Sequence, residues 1–394
     1  MSSKQSADGS GNLFHEPLFP AVIPGRFRRR LNRFVIECDC GVRVVQAHLP
    51  NPGRLWELLV PGRTVSLVKN APGPGHKTPY TAVAVERDGV TVLLHTTKTN
   101  DTAQFLLQER LVPGLEGAEI LKREIPLGNS RFDFLLREKK ERILLEVKSC
   151  TLYGRSLAMF PDAVTARGRR HLTELATHAE KGRRCGVLFI VHSPGPEFFL
   201  PDYHTDYEFA RTFQTHRNRL FYLALRISWR KDLCLNAITG AAPIPWALLE
   251  REARDEGCYI LILTLTATLR IPAGNLGRLD FPAGYYLYVG SARKNLSARL
   301  AHHCRRDGQN LHRHIDCLRP AAASCLALPI RTQDDIECEL AAAVSAIAVR
   351  TIPGFGSADC SCPGHLFFMP VHPLHSPEFR KLLQYYRMDR LNPF

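Results

Sequence analysis

A multi-domain chain of mixed α and β structure is predicted from three observations. Short strand-like runs, divided by turns rich in Gly and Pro, fill the region from about residue 21 to residue 96. Residues 121–191 then alternate strand, strand, helix, strand, the order of an α/β unit. A new strand–strand–helix series begins near Gly257.

The first residues, MSSKQSADGSGN, are polar and lack the apolar run of a signal peptide, and residues 1–20 are expected to be disordered or poorly packed. A basic stretch follows, RFRRRLNRF at Arg26–Phe34. Strands are predicted at Phe34–Cys38, Val42–His48, Thr64–Lys69 and Thr81–Glu86. The turns between them contain PNPGR and VPGR, and short strands at this spacing predict a small barrel over 21–96. In the α/β unit, 97–230, the expected helix is Ala163–Lys181 and the last expected strand Cys185–Val191. Less periodic sequence follows, with a helix near Phe209–Leu223, a short strand, and a linker over 231–256 carrying Pro243 and Pro245. The third unit, 257–394, opens with the strands CYILILTL and GYYLYVGSA and continues with helices at Leu296–Arg306 and Asp335–Val349. No internal repeat is visible.

The 394 residues are 45% hydrophobic and 23% charged, which suits globular domains. A net charge of +14 favours a polyanionic partner, nucleic acid first, although an arginine-rich proteome produces the same surplus without one. Twelve scattered cysteines and no run near the ~20 apolar residues of a membrane span lead us to expect a cytoplasmic protein with reduced thiols and no membrane partner.

Chemistry concentrates first in RFDFLLREKKERILLEVKS, Arg131–Ser149, where two apolar runs flank the turn REKKER. Side chains alternate along a strand, so Glu146 and Lys148 point the same way. Asp133 lies beside them if its strand pairs through that turn. Two carboxylates offer hard oxygen ligands for Mg²⁺ or Mn²⁺, and a nearby lysine can stabilise charge on an attacked phosphate. The same three side chains also suit a structural salt bridge. Next along the chain, FPDAVTARGRRHLTEL sets Arg167, Arg169, Arg170 and His171 at or near a helix start, where backbone amides and guanidinium groups favour phosphate. A solvated basic helix face is the plain alternative.

HLPNPGRLWELLVPG, SRFDFLL, LEVKSCTL and FPDAVTARGRRHLTEL, in this order and spacing, resemble the sugar fermentation stimulation protein (SfsA) family, over roughly Gly25–Arg226. That resemblance implies an OB-like barrel followed by a PD-(D/E)xK nuclease-like domain. It assigns Asp133, Glu146 and Lys148 to the nuclease motif, with Phe132 where the motif often has proline. It also implies DNA rather than RNA as the partner. In an OB-like barrel the basic groove gives Arg28, Arg29, Arg30 and Arg54 a nucleic-acid-binding use. Trp56 suits either a stacking platform or the core.

The third unit carries GCYIL at Gly257–Leu261 and YYLYVGSA at Tyr285–Ala292, then Arg299 and His303 four residues apart on one helical face. Glu337 and Glu339 follow on a later helix. Tyr259, Tyr288 or His303 can take a proton from water, Arg299 can stabilise developing negative charge, and a glutamate can hold one metal ion. A set of ordinary strand tyrosines and a surface arginine has the same spacing. The order of elements resembles the GIY-YIG nuclease superfamily, over about Gly257–His365, and favours Glu337 in ECELA as the metal ligand. HRHIDCL and FGSADCSCPGHLF resemble the same subfamily. The latter holds Cys360, Cys362 and His365 as C-x-C-x-x-H. A structural zinc site usually takes four ligands, and Asp359, His312 or His314 could complete the set, but the spacing is atypical, so packed, reduced cysteines are expected in preference to Zn²⁺.

These readings converge on a metal-dependent endonuclease with two sites. The rival is a DNA-binding regulator that uses nuclease-like folds as scaffolds and cuts nothing.

Overall fold

The computed structural model describes residues 16–71, 77–128, 130–305 and 314–391. In the first unit, β1 (Ile23–Asn32), β2 (Val35–Cys40), β3 (Arg43–His48), β4 (Thr64–Lys69) and β5 (Tyr80–Arg87) hydrogen-bond in the order β3-β2-β1-β4-β5. Parallel pairing of β3 with β5 closes the barrel. Alternation explains the closure: Phe27, Ile36, Cys38, Val65, Leu67 and Ala82 point inward and are buried. The basic stretch is itself strand β1, with Phe27 inside and Arg26 and Arg28 outside. The N-terminal expectation needs correction at its end, because Leu18 and Phe19 pack against the core and the Leu18 amide donates to the Leu233 carbonyl at 3.2 Å. Residues 1–15 lie outside the described residues.

A short strand, β6 (Val90–Leu93), pairs with β5 and carries the sheet into the second unit. There α1 (Thr96–Gln108) precedes β7 (Glu119–Leu127), β8 (Ser130–Glu138) and β9 (Glu141–Cys150). The small strands β10 (Leu152–Tyr153) and β11 (Leu157–Phe160), helix α2 (Ala166–Glu180) and β12 (Arg184–Val191) come next. β13 (Phe198–Pro201), α3 (Tyr207–Thr215), β14 (Phe221–Trp229) and β15 (Leu235–Ala242) complete the unit. The sheet order is β14-β12-β9-β8-β7, parallel across β9, β12 and β14 and antiparallel across β7, β8 and β9. Helices cover both faces, as parallel strands require. Leu106 and Leu107 of α1 pack with Phe134, Leu145 and Leu188 on one side, and Leu172 and Leu175 of α2 pack with Phe132, Leu144 and Phe189 on the other.

Two expectations are corrected here. The helix expected over Phe209–Leu223 stops at Thr215, and FYLALRISW becomes β14 because it pairs with β12 from Gly186↔Phe221 onward. The stretch 231–256, expected as a linker, holds β15 and α4 (Trp246–Glu252), with Leu248 and Leu249 in the core.

In the third unit the antiparallel sheet β20-β16-β19-β22-β21 is built from β16 (Gly257–Leu265), β19 (Gly284–Ala292), β20 (Ser324–Arg331), β21 (Arg350–Ile352) and β22 (Leu366–Met369). The hairpin β17 (Leu269–Pro272) and β18 (Arg278–Phe281) lies beside it. On one face, α5 (Leu296–Cys304) and α6 (His314–Leu318) share a core with Tyr259 and Tyr288, while α7 (Glu337–Ile347) and α8 (Pro377–Gln384) cover the other face. Among the described residues no helix is long and apolar enough to cross a membrane.

Candidate active site

Hairpin β8–β9 places the first constellation. Its register, Phe134↔Leu145, sets Asp133 beside the Glu146–Val147 backbone, and Asp133 Oδ2 accepts from the Val147 amide at 2.7 Å. Asn100 of α1 donates to Asp133 Oδ1 at 2.7 Å. Glu146 is 3% exposed. Its Oε1 takes Lys148 Nζ and, at 2.5 Å, Nδ1 of His171 from α2. Its Oε2 is buried and has no hydrogen-bond partner.

Asp133, Glu146 and Lys148 line one cavity of about 400 Å³, with Asn100, Arg167 and the barrel residues Arg33, Asn51 and Gly53. The cavity thus lies between barrel and α/β unit. Burial, and then the negative charge of Glu146, push the Asp133 carboxyl up to about 7. At Glu146 burial also opposes ionisation, but Lys148 and His171 outweigh it and hold that carboxyl below its ordinary value. One carboxyl therefore keeps its charge while its neighbour binds a proton readily. An unpartnered buried carboxylate oxygen beside a second carboxylate fits a hard divalent cation.

The basic residues separate into groups. Arg28 pairs with Asp39 at 3.4 Å and Arg29 with Glu37 at 2.6 Å, both on the exposed barrel surface. Arg30 braces the loop after β3 through the carbonyls of Gly53 and Arg54 at 2.7 and 2.8 Å. Arg54 donates to the Asp162 carbonyl at 2.7 Å and lies over Trp56, its guanidinium carbon 4.3 Å from the ring centre. Trp56 is half-buried and packs against the third unit. Arg28, Arg29, Arg30, Arg54 and Trp56 nevertheless line a groove of about 820 Å³ that His372, His375 and Arg380 complete. Arg169 is paired with Asp206 at 2.7 Å, while Arg170 is half-exposed. His171 is buried, accepts from Arg167 Nε at 3.3 Å, and turns its other nitrogen to Glu146. Its position orients a carboxylate within the first constellation, a use the basic-helix reading did not anticipate. Asn100 lay outside that reading too, since nothing local links it to Asp133.

Below the cavity, His192 holds the end of β12. Trp229 Nε1 donates to His192 Nδ1 at 3.1 Å, so Nε2 carries the proton and faces Ser149 Oγ at 3.1 Å. Burial lowers its pKa to about 3, against about 6.5 in an unfolded chain. Below pH ~6.5 the unfolded chain gains a proton that the folded chain refuses, so this stability is full above that pH and is lost on acidification. Between pH 7.5 and 5 the loss is about 2 kcal/mol. Thermal melting should therefore show wild type ahead of His192→Gln by a margin that shrinks from pH 7.5 to pH 5. A margin independent of pH contradicts this account.

In the third unit the motif glycines are required by close approach. Gly257 has φ +126°, and a Cβ there would lie 2.4 Å from the Ile330 carbonyl oxygen. A Cβ on Gly290 would meet Tyr259 Oη at 2.6 Å. Tyr259 Oη lies 3.1 Å from His303 Nε2, and the Tyr259 and Tyr288 ring centres are 6.3 Å apart. Arg299 donates through Nη1 to the Ser291 carbonyl, and Ser291 Oγ donates to Glu337 Oε2. Glu337 lines a cavity of about 730 Å³ with Ser291, Arg293 and Asp335. Glu339 is exposed and accepts from Tyr386 Oη at 2.9 Å. The fold thus joins Tyr259, Tyr288 and His303 in one group and links Arg299 to Glu337 through Ser291. His312 lies outside the described residues, as does the side chain of His314, and Asp359 is exposed.

Comparison with known proteins follows these divisions. Residues 29–94 match the SfsA N-terminal OB domain, and 97–232 the sugar fermentation stimulation protein RE domain. Residues 258–387 match a domain of unknown function, DUF123, which is GIY-YIG-like. A sugar fermentation stimulation protein homolog of Methanothermobacter thermautotrophicus is 41% identical over 188 residues, 48% of this chain and 78% of that protein. One from Methanosphaera stadtmanae is 40% identical over 192 residues, covering 48% and 79%. Pyrococcus furiosus SfsA, solved in complex with Ca²⁺, superposes with a TM-score of 0.53 at 31% identity, over 57% of this chain and 96% of that one. A closed OB barrel running into a nuclease-like α/β unit, at this identity and coverage, means that the chain belongs to the sugar fermentation stimulation protein family, with a GIY-YIG-like unit attached at its C-terminal side.

Proposed function

We propose that this protein is a DNA-binding, metal-dependent endonuclease whose principal site is the Asp133–Glu146–Lys148 cavity. The observation that carries the reading is the buried Glu146 Oε2, without a hydrogen-bond partner, in a cavity shared with Asp133. The Ca²⁺ complex of Pyrococcus furiosus SfsA supports divalent-cation binding in this family. Asp133 and Glu146 would hold Mg²⁺ or Mn²⁺, which when bound lowers the pKa of water and neutralises phosphate charge. His171 fixes the Glu146 carboxylate from behind. Lys148 presents a positive charge within the cavity, where it stabilises a phosphate oxygen. Arg167 at the cavity wall, and Arg28 and Arg29 on the barrel, attract the nucleic-acid backbone. In the GIY-YIG-like unit, Tyr259 or Tyr288 with His303 would accept a proton, Arg299 would stabilise charge and Glu337 would be the acidic ligand.

A second reading, a regulator that binds DNA without cutting it, draws on the Lys148–Glu146–His171 network, in which Glu146 Oε1 already holds an ammonium and an imidazole. Incubation with single- and double-stranded DNA and with RNA, in Mg²⁺ or Mn²⁺, separates the two. Cleavage that a chelator stops, together with binding that weakens steeply with salt, is expected. Salt-sensitive binding with no cutting under any of these conditions would establish the regulator instead. Cleavage that survives Arg299→Ala assigns the activity to the first site.

A further inference from the structure

We infer that the third unit holds one Zn²⁺ on Cys338, Cys360, Cys362 and His365, as a structural clamp that also positions Glu337. The ligating atoms of these four residues all lie within 4.8 Å of one another. A tetrahedral zinc with Zn–S near 2.3 Å needs sulfur atoms about 3.7 Å apart, a contraction of about 1 Å at most. Cys360 Sγ is already 3.5 Å from His365 Nε2. Three thiols and an imidazole form a closed structural zinc set with no position left for substrate.

Each ligand comes from a segment whose backbone is held independently of a metal. Cys338 sits in the first turn of α7, whose axis is fixed by Leu340 and Val344 packing on the sheet. Cys360 and Cys362 belong to the loop between β21 and β22. That loop is closed at its base by the Gly354 amide on the Pro363 carbonyl at 2.8 Å and the His365 amide on the Phe355 carbonyl at 2.7 Å. The His365 carbonyl accepts from the Val289 amide of β19 at 2.9 Å, so the imidazole projects from the sheet itself.

Orientation of His365 is the second observation. The side chain is buried, with Nδ1 3.2 Å from Glu337 Oε1 and Nε2 toward the thiols. A carboxylate on Nδ1 fixes the proton there and leaves the Nε2 lone pair free to ligate, the arrangement usual around zinc-bound histidines. The three-residue motif read from the sequence favours plain reduced cysteines because its spacing is atypical for zinc, and Cys338 is not among its candidate fourth ligands. Cys338 is 22 residues upstream of Cys360 by numbering, and only the packing of α7 against the sheet brings it in. Glu337 ties the cluster to the sheet, since it is adjacent to Cys338 and bonded to both Ser291 and His365. The zinc site stands without the nuclease reading; its bearing on cleavage rests on that reading.

The test uses the full chain, purified under reducing conditions without chelators. Elemental analysis should find about one zinc per chain. Replacement by Co²⁺ should produce a thiolate-to-cobalt charge-transfer band. Cys338→Ser and Cys362→Ser should each lower zinc retention at least tenfold against a chromophoric chelator, and Glu337→Ala should do so by roughly 10–100-fold. Cys304→Ser, outside the cluster, should leave retention unchanged. Should a cluster variant fail to fold, the wild-type metal content and cobalt spectrum still decide the matter. A reduced wild-type chain that neither contains zinc nor takes it up from a Zn²⁺ titration would overturn the proposal. A disulfide among Cys338, Cys360 and Cys362, seen by mass spectrometry of protein purified in this way, would do the same. Zinc present with no nuclease activity would leave the site standing and remove only its link to cleavage.

Discussion

Glu146→Gln should abolish metal-dependent strand cleavage, lowering the rate by about a thousandfold or more, equivalent to about 4 kcal/mol of transition-state stabilisation. Glutamine keeps the shape and can still accept from His171, so the fold should survive. The substitution removes the Glu146 carboxylate, whose buried Oε2 has no hydrogen-bond partner among the described residues, from the cavity it shares with Asp133. A stability measurement gives a readout free of substrate. At a Ca²⁺ concentration of ~100 times the dissociation constant, wild type should gain about 2.7 kcal/mol, and Glu146→Gln should gain much less. Cleavage and Ca²⁺ stabilisation both undiminished in the variant would remove the first site from consideration.

Arg331→Ala should uncouple the third unit from the second and destabilise the protein by about 3 kcal/mol. Arg331 is 4% exposed. Its Nη1 donates to the carbonyls of Tyr203 and His204 at 3.0 and 2.9 Å, and its Nη2 donates to Ser297 Oγ at 2.9 Å. The guanidinium carbon also lies 4.7 Å from the centre of the Tyr207 ring. Alanine leaves buried carbonyls without donors on the second unit and a void on the third. Calorimetry should resolve two transitions where wild type shows one. A single transition at an unchanged midpoint would mean that this contact does not couple the units.

Strands β2 to β5 of the barrel were legible as short β-branched and apolar runs between Gly/Pro turns, whereas β1 was not, because its arginines mask the strand pattern. The helix bearing Arg167 to His171 was readable too, but it begins at Ala166 and not at Ala163, because Thr165 caps it by accepting from the Gly168 amide at 2.9 Å. The stretch Phe221–Trp229 was not, because a short apolar run has no period that separates strand from helix. Residues 231–256 were misread for a related reason. Pro243 and Pro245 mark breaks, but the strand and helix on either side of them owe their place to packing with β14 and the core.

The candidate sites divide in the same way. Glu146 and Lys148 share a strand face through local geometry alone, and their facing was settled by a two-residue spacing. Tertiary packing decided which cations remain on the surface: Arg54 and Arg169 are occupied by the carbonyl of Asp162 and the carboxylate of Asp206. It also brought His171 and Asn100 to the acidic pair and Cys338 to the C-x-C-x-x-H motif. Short-range periodicity is written into the chain because neighbouring side chains obey fixed strand and helix geometry. Contacts between distant segments depend on how whole faces pack, and no local spacing encodes that.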